Sequence, residues 1–133
     1  IVIRDINKYF TDIYFNLHPT LEEVISHQSV RILQMVQKQQ YVLIRDIAEH
    51  LSISHNTASE HVKKLVSNGW LYKERSDEDQ RKVYLHLTDE GSVILKKNTE
   101  LDENKLQVAL SRLSTNERKK IVEAFRLLSE VSK

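Results

Sequence analysis

Residues 45–91, RDIAEHLSISHNTASEHVKKLVSNGWLYKERSDEDQRKVYLHLTDEG, decide the fold. Arg45 to Leu51 reads as a short helix, with Ile47, Ala48 and Leu51 on one face. Ser52-Ile53-Ser54 reads as a turn, and Ser54 is a good N-cap for a second helix. There Ala58, Val62 and Leu65 recur at i, i+4 and i+7, with Val66 beside them. Gly69 follows the last turn, where helices often end in a left-handed residue. Trp70 to Arg75 and Lys82 to Leu87 are extended, the latter alternating Val83, Leu85 and Leu87 with Tyr84 and His86. Between them lies polar Ser76–Arg81, so the pattern predicts a β-hairpin with a charged tip. A helix–turn–helix followed by a hairpin is a winged helix–turn–helix.

Downstream of the hairpin, Thr88 caps a long helix, and Asp89 and Glu90 favour its N-terminal dipole. A glycine inside a helix costs about 1 kcal/mol relative to alanine, so Gly91 predicts a close approach by another segment. Ile94, Leu101, Leu106, Ala109, Leu110 and Leu113 run along this helix. Ser114 and Glu117 form a capping box for a last helix, with Ile121, Phe125, Leu128 and Val131 on one stripe. Upstream, Ile3, Ile6, Phe10, Ile13 and Leu17 step by threes and fours until Pro19 breaks the helix. Thr20 and Glu23 read as a capping box for a second start. Leu21, Val24 and Ile25, then Val30, Leu33 and Val36, extend it to about residue 39, with Ser26 as a candidate break. Val42-Leu43-Ile44 is a short β-prone run.

The expected fold is mainly α with a small β-hairpin wing: a winged helix–turn–helix over 26–91, with dimerisation helices at 1–25 and 92–133, all within one domain of 1–133. The two glycines and one proline of the 133 residues agree with this. They are too few for the turns of a sandwich or barrel, and Gly69 and Gly91 are too far apart for a phosphate loop. No apolar run is long enough for a membrane span, and no signal-peptide pattern is present. The chain begins at Ile1 without a methionine, so native residues are expected before it. With no cysteine there is no disulfide, Cys-ligated zinc, thiol nucleophile or thiol redox sensor, and a reducing cytoplasm is the expected location. The six histidines contain no i, i+4 pair and no HExxH motif, so no metal and no cofactor is expected. No catalytic residue is identified, and the chain is not expected to be an enzyme.

Function concentrates on the second helix and the hairpin tip. With Ala58 inward, Asn56, Glu60, Lys63, Lys64 and Ser67 face outward, flanked by Thr57 and Ser59. A recognition helix in a major groove uses such groups, and an ordinary solvated face has the same composition. Lys73, Arg75, Arg81 and Lys82 surround Asp77, Glu78 and Asp79 at the tip, and an Arg there can enter the narrow minor groove. The acids would repel phosphate unless paired internally, and Asp79 with Arg81 is the expected pair. The DNA-contact set is Ser54, His55, Asn56, Thr57, Ser59, Glu60, Lys63, Lys64, Arg75, Asp79, Arg81 and Lys82. Net charge counts against it, because residues 41–90 hold seven basic and nine acidic groups, a net of −2. The alternative is a winged module that binds another protein. The terminal stripes would be exposed on a monomer, so Ile3, Ile6, Phe10, Ile13, Ile121, Phe125, Leu128 and Val131 are expected to form a two-fold interface.

Ile47-Ala48-x-x-Leu51-x-Ile53-Ser54, Val62-x-x-Leu65-x-x-x-Gly69-Trp70-Leu71, Asp77-Glu78-Asp79-Gln80-Arg81-Lys82 and Leu87-Thr88-Asp89-Glu90-Gly91 together resemble the multiple-antibiotic-resistance regulator (MarR) family over about 26–95. The wing pattern Asp79-x-Arg81-Lys82 followed by Leu87-Thr88-x-x-Gly91 is the most specific part. The resemblance implies a bacterial homodimeric transcription regulator, a ligand-responsive repressor on a pseudo-palindromic operator. It implies a recognition helix in the major groove, the wing Arg in the minor groove, and a small-molecule effector as partner. It also implies an effector pocket, for which Tyr9, Tyr14, Phe15 and Trp70 are candidates, although such aromatics are more often plain core. The redox branch of the family carries a Cys in its first helix, and this chain has none.

Overall fold

The structure, a computed structural model, describes residues 1–20 and 23–133. The described elements run α1 (Val2–Leu17), α2 (His27–Lys38), α3 (Ile44–Leu51), α4 (His55–Ser67), β1 (Leu71–Arg75), β2 (Val83–Leu87), α5 (Asp89–Thr99), α6 (Glu103–Ser111) and α7 (Thr115–Val131). They form two compact units. A winged unit spans Thr20–Glu100, and a terminal unit joins Ile1–Pro19 to Leu101–Lys133.

The winged unit has a dry core. Ile32, Leu33, Met35 and Val36 of α2 meet Ile47 and Ala48 of α3, Ala58, Val62 and Leu65 of α4, Leu71 and Leu85 of the hairpin, and Ile94 and Leu95 of α5. Ala48 keeps the crossing of α3 and α4 close, and Leu51 and Ile53 pack against the core on either side of the turn. Ser52 ends α3 in the left-handed region, with φ 55°. The hairpin strands pair antiparallel from Leu71 opposite Leu87 to Arg75 opposite Val83. The β-prone run upstream contributes only a bridge, in which the Leu85 amide donates to the Val42 carbonyl at 2.9 Å.

Both glycines sit where the backbone demands them. Gly69 has φ +80°, which lets the chain leave α4 and enter β1. A Cβ on Gly91 would lie 2.0 Å from the Trp70 carbonyl oxygen, so the close approach expected there is present. Thr88 ties the two together. Its hydroxyl donates to the Gly69 carbonyl at 2.6 Å and accepts from the Gly91 amide at 2.9 Å. Its own amide donates to the Trp70 carbonyl at 3.1 Å.

Three expectations need correction. α2 begins at His27, not near Thr20. Val24 and Ile25 are non-helical, and Ser26 makes the cap, its hydroxyl accepting from the Ser29 amide at 3.1 Å. Ile25 reaches the core from this non-helical stretch, and Leu21 lies outside the described residues. The helix after the wing is two helices. Asp102 accepts from the Lys105 amide at 2.9 Å and starts α6 afresh, after Glu100 turns extended. The winged unit therefore keeps α5 and runs to residue 100, beyond the expected 91. Tyr9, Tyr14 and Phe15, finally, are exposed and not core, whereas Trp70 packs against the core.

In the terminal unit, none of α1, α6 and α7 carries a buried residue. The Ser114–Glu117 capping box is formed. The Ser114 amide donates to Glu117 at 2.9 Å, and the Glu117 amide donates to the Ser114 hydroxyl at 3.2 Å. These bonds hold the Glu117 carboxyl below its ordinary pKa. Further along α7, Arg126 reaches both Glu123 and Glu130. No helix among the described residues is long and apolar enough to cross a membrane.

Candidate nucleic-acid interface

The outer face of α4 follows from which residues its core face takes. Ala58 and Val62 are fully buried and Leu65 nearly so. Asn56, Thr57, Glu60, Lys63, Lys64 and Ser67 are therefore exposed, and Ser59 is half-buried. At the start of the helix, the Ser54 hydroxyl accepts from the Thr57 amide at 3.0 Å and donates to the Thr57 hydroxyl at 2.9 Å. Ser54 is thus occupied as a cap, and His55, the first helical residue, is exposed.

The wing tip is organised by its own polar groups. The Asp79 carboxylate accepts from the Arg81 amide at 3.0 Å and lies 3.4 Å from Arg81 Nε. This is the internal pairing that the sequence called for. The Arg81 side chain is nevertheless 93% exposed, so the carboxylate steers it without covering it. The Ser76 hydroxyl accepts from the amides of Glu78 and Asp79, and Arg75 donates to the Gln80 carbonyl. Lys82 is exposed, and its amide closes the turn onto the Asp79 carbonyl at 2.9 Å. Across the strands, His86 Nε2 lies 3.4 Å from a Glu74 carboxylate oxygen, and the His86 ring leans on Tyr72.

The fold brings α3, α4 and the wing together at two clefts, each of about 340 Å³. One is lined by Leu43, Ile44 and Val83 together with Arg45, His55, Arg81 and Lys82. The other is lined by Ile44, Val83, Lys73 and Arg75. The sequence-predicted His55, Arg75, Arg81 and Lys82 thus gather here, while Asn56, Glu60, Lys63 and Lys64 continue along α4. Arg45 was not among the expected contacts. Its charge stands a whole helix away from His55 in sequence, so only the tertiary fold places them on one cleft. Among the described residues no cluster of His, Cys, Asp and Glu could hold a metal ion.

Known proteins share this fold. The MarR family model matches residues 25–83. The regulator MgrA of Staphylococcus aureus is 28% identical over 129 residues, covering 96% of this chain and 80% of the relative. Among solved structures, a MarR-like transcriptional regulator from Thermotoga maritima superposes with a TM-score of 0.66 at 21% identity, covering 99% of this chain and 95% of that one. A variant of MepR from Staphylococcus aureus, bound to an oligodeoxyribonucleotide, superposes with a TM-score of 0.56 at 22% identity, covering 80% of each chain.

Proposed function

The chain carries a MarR-family domain over residues 25–83, and from that premise we propose that the protein is a sequence-specific DNA-binding transcriptional regulator. It acts in the cytoplasm as a homodimeric, ligand-responsive repressor on a pseudo-palindromic operator. The observation that carries DNA binding is the pairing of a polar, exposed α4 face with an Arg81 that Asp79 steers and leaves 93% exposed. α4 enters the major groove and contacts base edges from Asn56, Thr57, Ser59, Glu60, Lys63 and Lys64. Arg81 enters the minor groove beside it, where potential is focused.

Dimerisation is supported by the terminal unit. Ile3, Phe10, Phe125 and Val131 are 77%, 61%, 56% and 71% exposed, and Ile6 and Leu128 are about half exposed. Ile13 and Ile121 are only half-buried. A second copy covers these stripes and sets two α4 helices about one DNA turn apart. Effector control is supported by an open cleft of about 760 Å³ in the same unit, where Ile13, Leu17, Val108 and Ala109 supply an apolar lining and Asp12, Lys105 and Arg112 charge.

Selection of bound genomic fragments followed by titration tests the reading. The selected duplex should bind tightly at low salt and weaken steeply as salt rises, because phosphate contacts release counterions. Arg81→Ala should weaken that duplex by about 1–3 kcal/mol while the dimer stays folded. Failure of any duplex to bind at low salt would overturn the reading.

A further inference from the structure

The two clefts at the base of the wing share Ile44 and Val83, so they form one continuous shelf. Around it stand Arg45 from α3, Lys73 and Arg75 from β1, and Arg81 and Lys82 from the tip. Among the described residues no acidic side chain lines either cleft. Of the acids nearest in sequence, Asp77 and Glu78 are exposed at the tip, and the other three have contacts of their own. Asp46 accepts from the Leu43 amide at 2.8 Å, Asp79 is held by Arg81, and Glu74 lies against His86. Among the described residues Lys73 and Lys82 have no ion-pair partner, and Arg45 has only Asp46 at 4.0 Å.

Five like charges around one apolar shelf repel one another, and a line of negative charges laid along the shelf relieves them all at once. On the DNA-binding reading above, we propose that the shelf seats a stretch of sugar–phosphate backbone between the groove taken by α4 and the groove reached by Arg81. Arg45 and Lys73 are its phosphate contacts. Ile44 and Val83 offer the deoxyribose an apolar surface and offer a base edge nothing to read. Base contacts specify and phosphate contacts position, so the shelf supplies affinity common to every sequence. It also explains how a segment of net charge −2 can bind a polyanion: five of its seven cations are gathered around one shelf that, among the described residues, no acid lines.

The test uses the full chain with two probes, the duplex recovered by genomic selection and a random-sequence duplex of equal length. Arg45→Gln and Lys73→Gln are titrated singly and together over a salt series, with folding checked by circular dichroism. Each substitution removes one contact from both protomers of the bound dimer, so each should make the slope of log K against log salt shallower by about 1.8, and the two should add. Each should also weaken both duplexes by the same factor, leaving their affinity ratio unchanged. Lys38→Gln, which removes a charge outside both clefts, should leave the slope as it was. An unchanged slope in the double variant overturns the proposal. So does a loss confined to the selected duplex, or an equal loss in Lys38→Gln. A wild-type chain that binds neither duplex overturns the DNA-binding reading itself, and the seat with it.

Discussion

In the winged unit α4 buries Ala58, Val62 and Leu65 almost completely. In the terminal unit α7 carries Ile121, Phe125, Leu128 and Val131 at similar spacing and buries none of them. The helices have the same kind of stripe and comparable caps, with Ser54 serving α4 and Ser114 serving α7. What differs is what lies opposite. α4 faces α3 and β1, while the stripes of α1 and α7 face water in a single chain. Periodicity therefore marks a surface that must be covered and does not say by which molecule. The winged unit completes its core within one chain, and the terminal unit is proposed to complete its core with a second.

Four experiments test this contrast. The largest effect is expected from Phe125→Glu, which sets a charge into the proposed interface at a cost on the order of 4 kcal/mol, a weakening of dimerisation of roughly a thousandfold. Light scattering should show monomers, and an intact dimer would place the interface elsewhere. Next is Gly91→Ala, whose Cβ would meet the Trp70 carbonyl at 2.0 Å. Its cost of about 3 kcal/mol should appear in urea unfolding of the winged unit whatever the protein concentration. A concentration-dependent loss would mean that the two units are not separate in their stability. Third, Ser54→Ala and Ser114→Ala each remove a comparable cap, worth about 1 kcal/mol. The loss at Ser114 should depend on protein concentration and the loss at Ser54 should not.

The smallest effect concerns acid. The Ser114 amide and hydroxyl hold the Glu117 carboxyl below its ordinary value of 4.5. A depressed folded pKa gives stabilisation that is present above the unfolded value and lost as pH falls through the folded one. Protection of the amides at the start of α7, measured against their intrinsic exchange rate at each pH, should therefore weaken as pH falls below the ordinary glutamate range. Glu117→Gln, which keeps an acceptor without the charge, should flatten that dependence. An unaltered pH profile in the variant would show that the capping carboxylate is not its source.

Features decided by neighbours in sequence could be read without coordinates. The turn after α3, the cap at Ser54, the left-handed Gly69, the Thr88 cap and the Asp79–Arg81 pair each depend on residues a few positions apart. The break between α5 and α6 had a local signal too. Leu101 and Leu106 are five apart, which no helical face allows, and Asp102 is a strong cap. The start of α2 was harder, because Thr20 with Glu23 and Ser26 offer competing caps, and Ile25 packs on the core from outside the helix. The shelf could not be read at all. Arg45 and Lys73 come from α3 and β1, and nothing in either segment announces that the other lies beside it.

Thr88 gives the wing one further property. The hairpin leaves the body of the fold at Gly69-Trp70 and returns at Thr88, and that hydroxyl bonds both sides of the gap. Entry and exit are riveted at a single joint, so the wing is attached in the manner of an interchangeable cassette. Lengthening or rewriting Ser76–Arg81 changes what the tip can touch without moving the place from which it reaches. Divergence in what the wing contacts can then proceed by exchange of the tip while the body keeps its melting temperature, and a chain with its tip exchanged for a short turn would show whether it does.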